Sequence, residues 1–481
     1  MKYLRNLNYR KFSLRSNGIT RSILILTLIH WGILFFQIPI FTSLKGWFWP
    51  FTSNPTGQIW LILFLGAIAG AVVYLVLKID RQNVIKLCLL IFLGLSLQYG
   101  FAFLEGRGLD AITDRIVTTG HAEFARIAVQ QDDIFYILSN YEDLVGSGEL
   151  GVYARSKPPG QLFFYMLTKE IGEFIDNRAG TFEEKLRALE FFASYLWPFI
   201  SYLVLVPLFF SSRIIFGSET AIVGCAFFLM VPSVNLITLH TDQVLFPLLF
   251  MTSILFSLLA FEKNNIILAF VSGLSIYVFM WFSFVIGFVL PIIVPLGYFF
   301  MKGQNDKHYH RHLLSLFFFI ALGILSADVL FRLVFDYDIL LRYENAIQHH
   351  IAWKNWVPSL DYTLYFAILN LIEYFVWLGM PVSILVVESF RKAVKSVFQR
   401  KVTLGSIYTP VLVGVILIIA FMGRTQGEVA RLWLFLVPLV CTSAAHIISG
   451  DNQEVKNKMI WLVVILQLGT TYLTKVYQDF W

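Results

Sequence analysis

Apolar runs of roughly 20 residues recur along nearly the whole 481-residue chain, and no other feature restricts its fold as strongly. In lipid every backbone N–H and C=O must be satisfied inside the protein, so such runs cross as helices. A barrel would alternate apolar and polar residues, and no alternation is visible. With 57% hydrophobic and 14% charged residues, the chain is far more apolar than a soluble domain, which carries about 25% charged residues. The expected fold class is all-α, a polytopic transmembrane helix bundle of about 11–13 spans. We place them near 22–42, 58–77, 84–104, 189–210, 221–239, 244–262, 265–282, 284–300, 313–333, 363–388, 406–422, 433–449 and 459–477. The continuous run 265–300 is split at "MWFS", because one helix of that length would overshoot the hydrocarbon.

Charge orients the bundle. Lys2, Arg5, Arg10, Lys11, Arg15 and Arg21 precede the first span and predict a cytoplasmic N-terminus. Counting forward, the basic loops at Lys78 and Arg81, at Lys302, Lys307 and Arg311, and at 391–401 fall on the same side. The opposite side receives 105–187, 336–362, the "LHTDQ" turn and "GRTQGEVARLW". The first span lacks a small-x-small cleavage site and reads as an uncleaved helix. The net charge of +6 needs no nucleic acid, because the cations gather in short loops where anionic lipid headgroups suffice as partners. Cys88, Cys225 and Cys441 fall inside predicted spans and read as small hydrophobes, with no disulfide or zinc framework. No repeat or soluble domain appears beyond the large outer loop region 105–187. Within it, 160–176 is too short and too charged to span and predicts an amphipathic helix lying in the interface.

Three outer stretches carry the chemistry. The first, "EGRGLDAITDRIVTTGHAEFARIAVQQDD", places Glu105, Asp110, Asp114, His121, Glu123, Asp132 and Asp133 just after a membrane exit. A partly desolvated carboxylate there can take a proton from an incoming hydroxyl. For any one of these residues a solvated loop charge is the plainer reading; as a group beside a Thr-Thr-Gly turn they compete with it. The second, "RSKPPGQ", sets Arg155 and Lys157 on a stiff segment before Pro158 and Pro159, whose fixed φ angles bias Lys157 towards an extended backbone. Such a cation pair suits a phosphate at the membrane surface, and nonspecific headgroup contact is an equal reading. The third is "MGRTQGEVARLWLF". There Arg424, Glu428 and Arg431 are spaced i, i+4, i+7 and share a face if a helix begins near Thr425. Two guanidinium groups flanking a carboxylate can grip a diphosphate or a phosphate-sugar bidentately; an anchoring ion pair is the alternative.

Smaller signals are Asp242, in a very tight outer turn, and the i, i+4 pair Asp328 and Arg332, which reads as structural. His308, His310 and His312 read as part of a solvated basic loop. No Walker, Rossmann, zinc or nucleophile-elbow pattern is present.

The order "TGHAEF", "RSKPPGQLFFY", "HTDQ", "NLIEYFVWLGMP" and "GRTQGEVARLWLFLVP" resembles the GT-C superfamily of integral-membrane glycosyltransferases. Protein O-mannosyltransferases and aminoarabinose transferases are members. The resemblance covers most of the chain, so 1–481 reads as one GT-C-like membrane domain. Its most specific pieces are "GEVARLWLFLVP" and "KPPGQLF", the latter similar to a His-Pro-Pro-Gly element, with Lys157 where the pattern has His. The large loop follows the third predicted span, where the family has it after the first. The resemblance implies a polyprenyl-phosphate sugar donor, an extracytoplasmic active site in a plasma-membrane protein, and an acidic base from the first large outer loop.

The expected activity is transfer of a hexosyl or pentosyl group from that lipid-phosphate donor to a hydroxyl on a glycan, lipid or protein acceptor. Asp114 or Glu123 is expected as base, and His121, Arg155, Lys157, Asp242, Arg424, Glu428 and Arg431 as substrate-binding residues. A divalent cation, Mg or Mn, at the carboxylates is left open. A lipid or polysaccharide transporter or flippase is the alternative; it would show repeat symmetry and charges at midplane breaks, whereas here the charges gather at one outer face.

Overall fold

The computed structural model describes residues 13–52, 58–79, 82–118, 122–175, 180–237, 241–304, 307–357 and 359–478. Among these residues the chain is helical with no β-strand, and a lone antiparallel bridge pairs Phe51 with Gln478. Among the described residues eight helices are long and apolar enough to cross a membrane, and four shorter apolar helices, Ser218–Leu229, Ile266–Phe282, Val289–Gly303 and Leu434–Ser449, accompany them. The protein is a multi-pass membrane protein. The split of the long apolar run is present, as a short 3-10 segment Phe284–Phe288 between Ile266–Phe282 and Val289–Gly303. The expected span 363–388 is not one helix: Leu360–Leu378 and Met380–Phe398 meet at 116°. Gly379, at φ +82°, ends the first helix, and Pro381 opens the second. The expected first span 22–42 is also too long, since its helix closes at Phe35.

Small residues bring the helices together where lipid supplies no hydrophobic drive. A Cβ on Gly273 would lie 2.0 Å from the Ile320 carbonyl, and one on Gly323 2.2 Å from that of Phe270, so these two helices pack backbone to backbone. Hydroxyl pairs lace other spans, Ser212 to Thr442 and Thr409 to Ser443, both at 2.7 Å.

The two ends of the bundle differ. At one end Trp49 reaches Glu373, Tyr365 donates to the Lys45 carbonyl, and Thr52 N–H donates to Tyr477. This end therefore gathers the loop after the first helix, the described stretches 104–118 and 122–175, helix Ile339–Trp353, the 423–431 loop and the last helix's C-terminus. The other end holds Lys456 with Glu219 and Arg391 with Glu388.

Candidate functional site

Helix Gly160–Ile175 occupies the stretch expected to lie in the interface, with Leu167, Ile171, Phe174 and Ile175 exposed along one side. The chain enters it through Arg155–Pro159, a segment held by its backbone. Arg342, 1% exposed, donates to the Arg155 carbonyl at 2.8 Å, and the Tyr141 hydroxyl donates to the Lys157 carbonyl at 3.3 Å. Arg342 lies over the Tyr141 ring and pairs with Glu142 at 3.3 Å. One turn upstream, Glu123 accepts from the backbone N–H groups of Val152 and Tyr153, at 3.0 and 2.9 Å. Both its carboxylate oxygens are thus engaged on the first turn of Gly151–Ala154, a capping arrangement. The expectation of a carboxylate free to take a proton does not describe Glu123 in this structure.

Helix Ile339–Trp353 brings two histidines to the same place. His349 stacks on Trp353, whose ring meets Tyr153 edge-on at 6.1 Å, and the His350 ring lies 3.1 Å from the Arg424 carbonyl. Arg424 lies over Trp356 at 4.2 Å, a cation–π contact. Glu428 lies between Lys354, at 3.8 Å, and Arg431, at 2.5 Å. Burial holds His350 below the ordinary imidazole range, and Lys354, Lys157 and Arg424 push the same way, against the hydrogen bond to the carbonyl. Burial lowers His349 too, reinforced by Arg155, Arg342 and His350. Around these rings the buried nitrogens Arg424 Nη1, His349 Nε2 and Trp356 Nε1 have no hydrogen-bond partner among the described residues. Cations and unsatisfied donors packed this closely favour an anion between them.

The arrangement differs from the expected helical face. Helix begins only at Val429; Gly423 and Gly427 have φ of +63° and +74°, and Glu428 itself is left-handed at +60°. Arg424 therefore comes from an irregular loop and does not share a helical face with Arg431.

Asp114 belongs to a second group. It sits on helix Asp110–Thr118 rather than in a solvated loop, 2.7 Å from Arg107. Arg107 also reaches Glu105 at 3.3 Å, Arg115 reaches it at 2.8 Å, and Lys475 bonds the same carboxylate. Burial raises the proton affinity of Glu105, but Lys475, Arg115 and Arg107 outweigh it and hold the carboxyl below its usual range. The short helix Pro232–Ile237 touches both groups: its Leu236 carbonyl accepts from Arg115, and it packs on Val429–Leu432. His121 lies outside the described residues. Asp242 begins helix Thr241–Lys263 rather than lying in a bare turn, and only its backbone is described.

No family model and no curated protein matches the chain. Among solved structures, it is similar to the Archaeoglobus fulgidus oligosaccharyltransferase in its apo form, at 10% identity and a TM-score of 0.48, covering 80% of this chain and 56% of that one. The same enzyme in complex with zinc and sulfate gives 12% identity and 0.47, covering 79% and 53%. The chain spans a little over half the length of these structures.

Among the described residues no group of three or more His, Cys, Asp or Glu side chains is placed to hold a metal ion. Glu105 and Asp114, the carboxylates nearest the membrane exit, already face Arg107, Arg115 and Lys475, and this charge balance does not suit a divalent cation. Asp328 and Arg332 pair at 2.9 Å, and Arg332 also binds Asp338, which caps Ile339–Trp353.

The residues that sequence reasoning missed are His349, His350, Lys354 and Arg342. "QHHIAWKNW" lies in a stretch read only as an outer segment, and paired histidines flanked by tryptophans were the available signal.

Proposed function

We propose that the protein is a membrane glycosyltransferase that binds a polyprenyl-phosphate-linked sugar at this cationic cluster. The observation that carries the reading is the gathering of Arg155, Lys157, Lys354 and Arg424 around His349 and His350, drawn from three distant segments, with Glu428 between Lys354 and Arg431 and buried unsatisfied nitrogens beside them. A phosphate is the anion such forks and point charges suit, and one at headgroup depth would leave its lipid in the bilayer. On this reading the cluster stabilises the charge that develops on the leaving phosphate as the bond to the anomeric carbon breaks. An acceptor hydroxyl attacks that carbon and gives its proton to Asp114 or Glu123; Asp114 ranks first, because its helix leaves it half-exposed and Glu123 is committed to backbone N–H groups. His121 and Asp242 are assigned to substrate binding. The site faces the extracytoplasmic side, opposite the basic loops.

The test is native mass spectrometry of protein extracted from its own membranes, followed by release of polyprenyl phosphate from a labelled donor. We expect a bound lipid phosphate and donor turnover, both lost in Arg424→Ala/Arg431→Ala. Absence of any lipid-phosphate binding, with the fold intact, overturns the assignment.

A further inference from the structure

The stretch "NLIEYFVWLGMP" has no part in the chemistry above, yet it carries Asn370 and Glu373, both 0% exposed and one turn apart on Leu360–Leu378. A buried carboxyl on an apolar helix is costly and is kept only where its hydrogen bonds are needed. Asn370 makes two bonds to the cation-bearing loop: its Nδ2 donates to the Thr425 carbonyl at 2.8 Å, and its Oδ1 accepts from Gly427 N–H at 3.1 Å. Glu373 Oε1 accepts from Ala430 N–H at 3.0 Å and from the Trp49 indole at 2.7 Å. The loop is thus tied to one helix on both sides of its left-handed stretch, Gly427 and Glu428.

Such a conformation does not hold itself. A non-glycine residue at positive φ is disfavoured, and the surrounding structure must over-determine it. Here the outer anchors are the Asn370 and Glu373 bonds, and Gly46 closes the other side: a Cβ on Gly427 would lie 2.4 Å from its carbonyl oxygen. The same loop carries Arg424 at one end and Arg431 at the other.

We propose that Asn370 and Glu373 are positioning residues that hold loop 423–431 in the shape presenting Arg424 and Arg431 together to a phosphate. This rests on the phosphate reading above. Neither residue touches the ligand; they act through the loop.

The experiment combines two readouts on the full-length protein in detergent. Hydrogen exchange of a peptide covering 423–433 reports the loop without any ligand, and titration with a polyprenyl monophosphate reports the site. Asn370→Ala and Glu373→Ala are expected to speed exchange of that peptide about tenfold and to weaken lipid-phosphate binding about tenfold, with Val437–Ser449 unchanged. Glu373→Gln, which keeps an acceptor oxygen, is expected to restore most of both. If Glu373→Ala fails to fold, Asn370→Ala tests the clamp alone. Unchanged exchange in the folded variants overturns the clamp. Faster exchange with unchanged lipid-phosphate affinity leaves the clamp standing and overturns the phosphate reading of the loop.

Discussion

The Nε2 atom of His350 lies 3.1 Å from the carbonyl oxygen of Arg424, and because a carbonyl only accepts, that nitrogen carries the proton. In the neutral ring Nδ1 is then an acceptor, the form the surrounding cations favour, and an anion bound among those cations would shift the balance towards a second proton. The contact also joins helix Ile339–Trp353 to the 423–431 loop, so the histidines and the arginines belong to one site.

The first prediction concerns pH. Within the protein His349 and His350 are held below the ordinary value of 6.5 by burial and the neighbouring cations. A bound phosphate raises them, so the complex holds more protons than the free protein. Affinity for a phosphodiester donor should therefore rise as pH falls through the interval between the bound and free values, by up to about tenfold per unit for each proton taken up. Without ligand the sign reverses: stability contributed by the neutral rings is lost as pH falls below 6.5. Calorimetry in buffers of different ionisation enthalpy measures the uptake; a pH-independent affinity in the wild type, matching His350→Gln, counts against it.

Arg431→Lys keeps the charge and loses the fork, so it should weaken donor binding while leaving the melting temperature unchanged. Arg431→Ala should cost on the order of 1.5–3 kcal/mol, roughly 10- to 100-fold in affinity. Wild-type affinity in both would remove Arg431 from the site.

Asp114→Asn should lower turnover by about 10²–10⁴ with donor binding retained, as expected for loss of a general base. Single-turnover rates at saturating donor are the measurement. Retained turnover here, with a dead Glu123→Gln that still binds donor, would transfer the role to Glu123.

Glu123→Ala should loosen the Gly151–Ala154 turn by about 1–3 kcal/mol and disturb Arg155 and Lys157 beyond it. Gly151→Ala should do the same, because its φ is +75° and a Cβ there would lie 2.0 Å from the Glu123 carboxyl carbon. Thermal unfolding with exchange mass spectrometry of 151–160 reads this out; protection equal to wild type in both variants would deny Glu123 its capping role.

Orientation is checked with single cysteines at the exposed positions Asn355 and Glu454 in a cysteine-free background. An impermeant thiol reagent on intact cells should label 355 and spare 454. The opposite pattern inverts the topology and moves the candidate site to the cytoplasm.

The all-helical bundle, the split of 265–300 and the helix at 160–175 are legible in the sequence because each depends on local causes: runs of apolar residues, backbone self-satisfaction in lipid, and Gly or Pro punctuation. The break at Gly379-Met380-Pro381 carried a local signal too, which continuous hydropathy across 363–388 masked. What tertiary structure alone decides is pairing. Spacing put Arg424, Glu428 and Arg431 on one helix, whereas the fold carries Arg424 on an irregular loop bonded to Asn370 and Glu373, more than 50 residues away. Glu123 reads as a candidate base until its partners, N–H groups about 30 residues further on, are brought against it. His349 and His350 gain meaning only beside Arg155 and Arg424. A side chain's chemistry is written in its own residue, but its proton affinity and its freedom to act are set by neighbours that only the folded chain supplies.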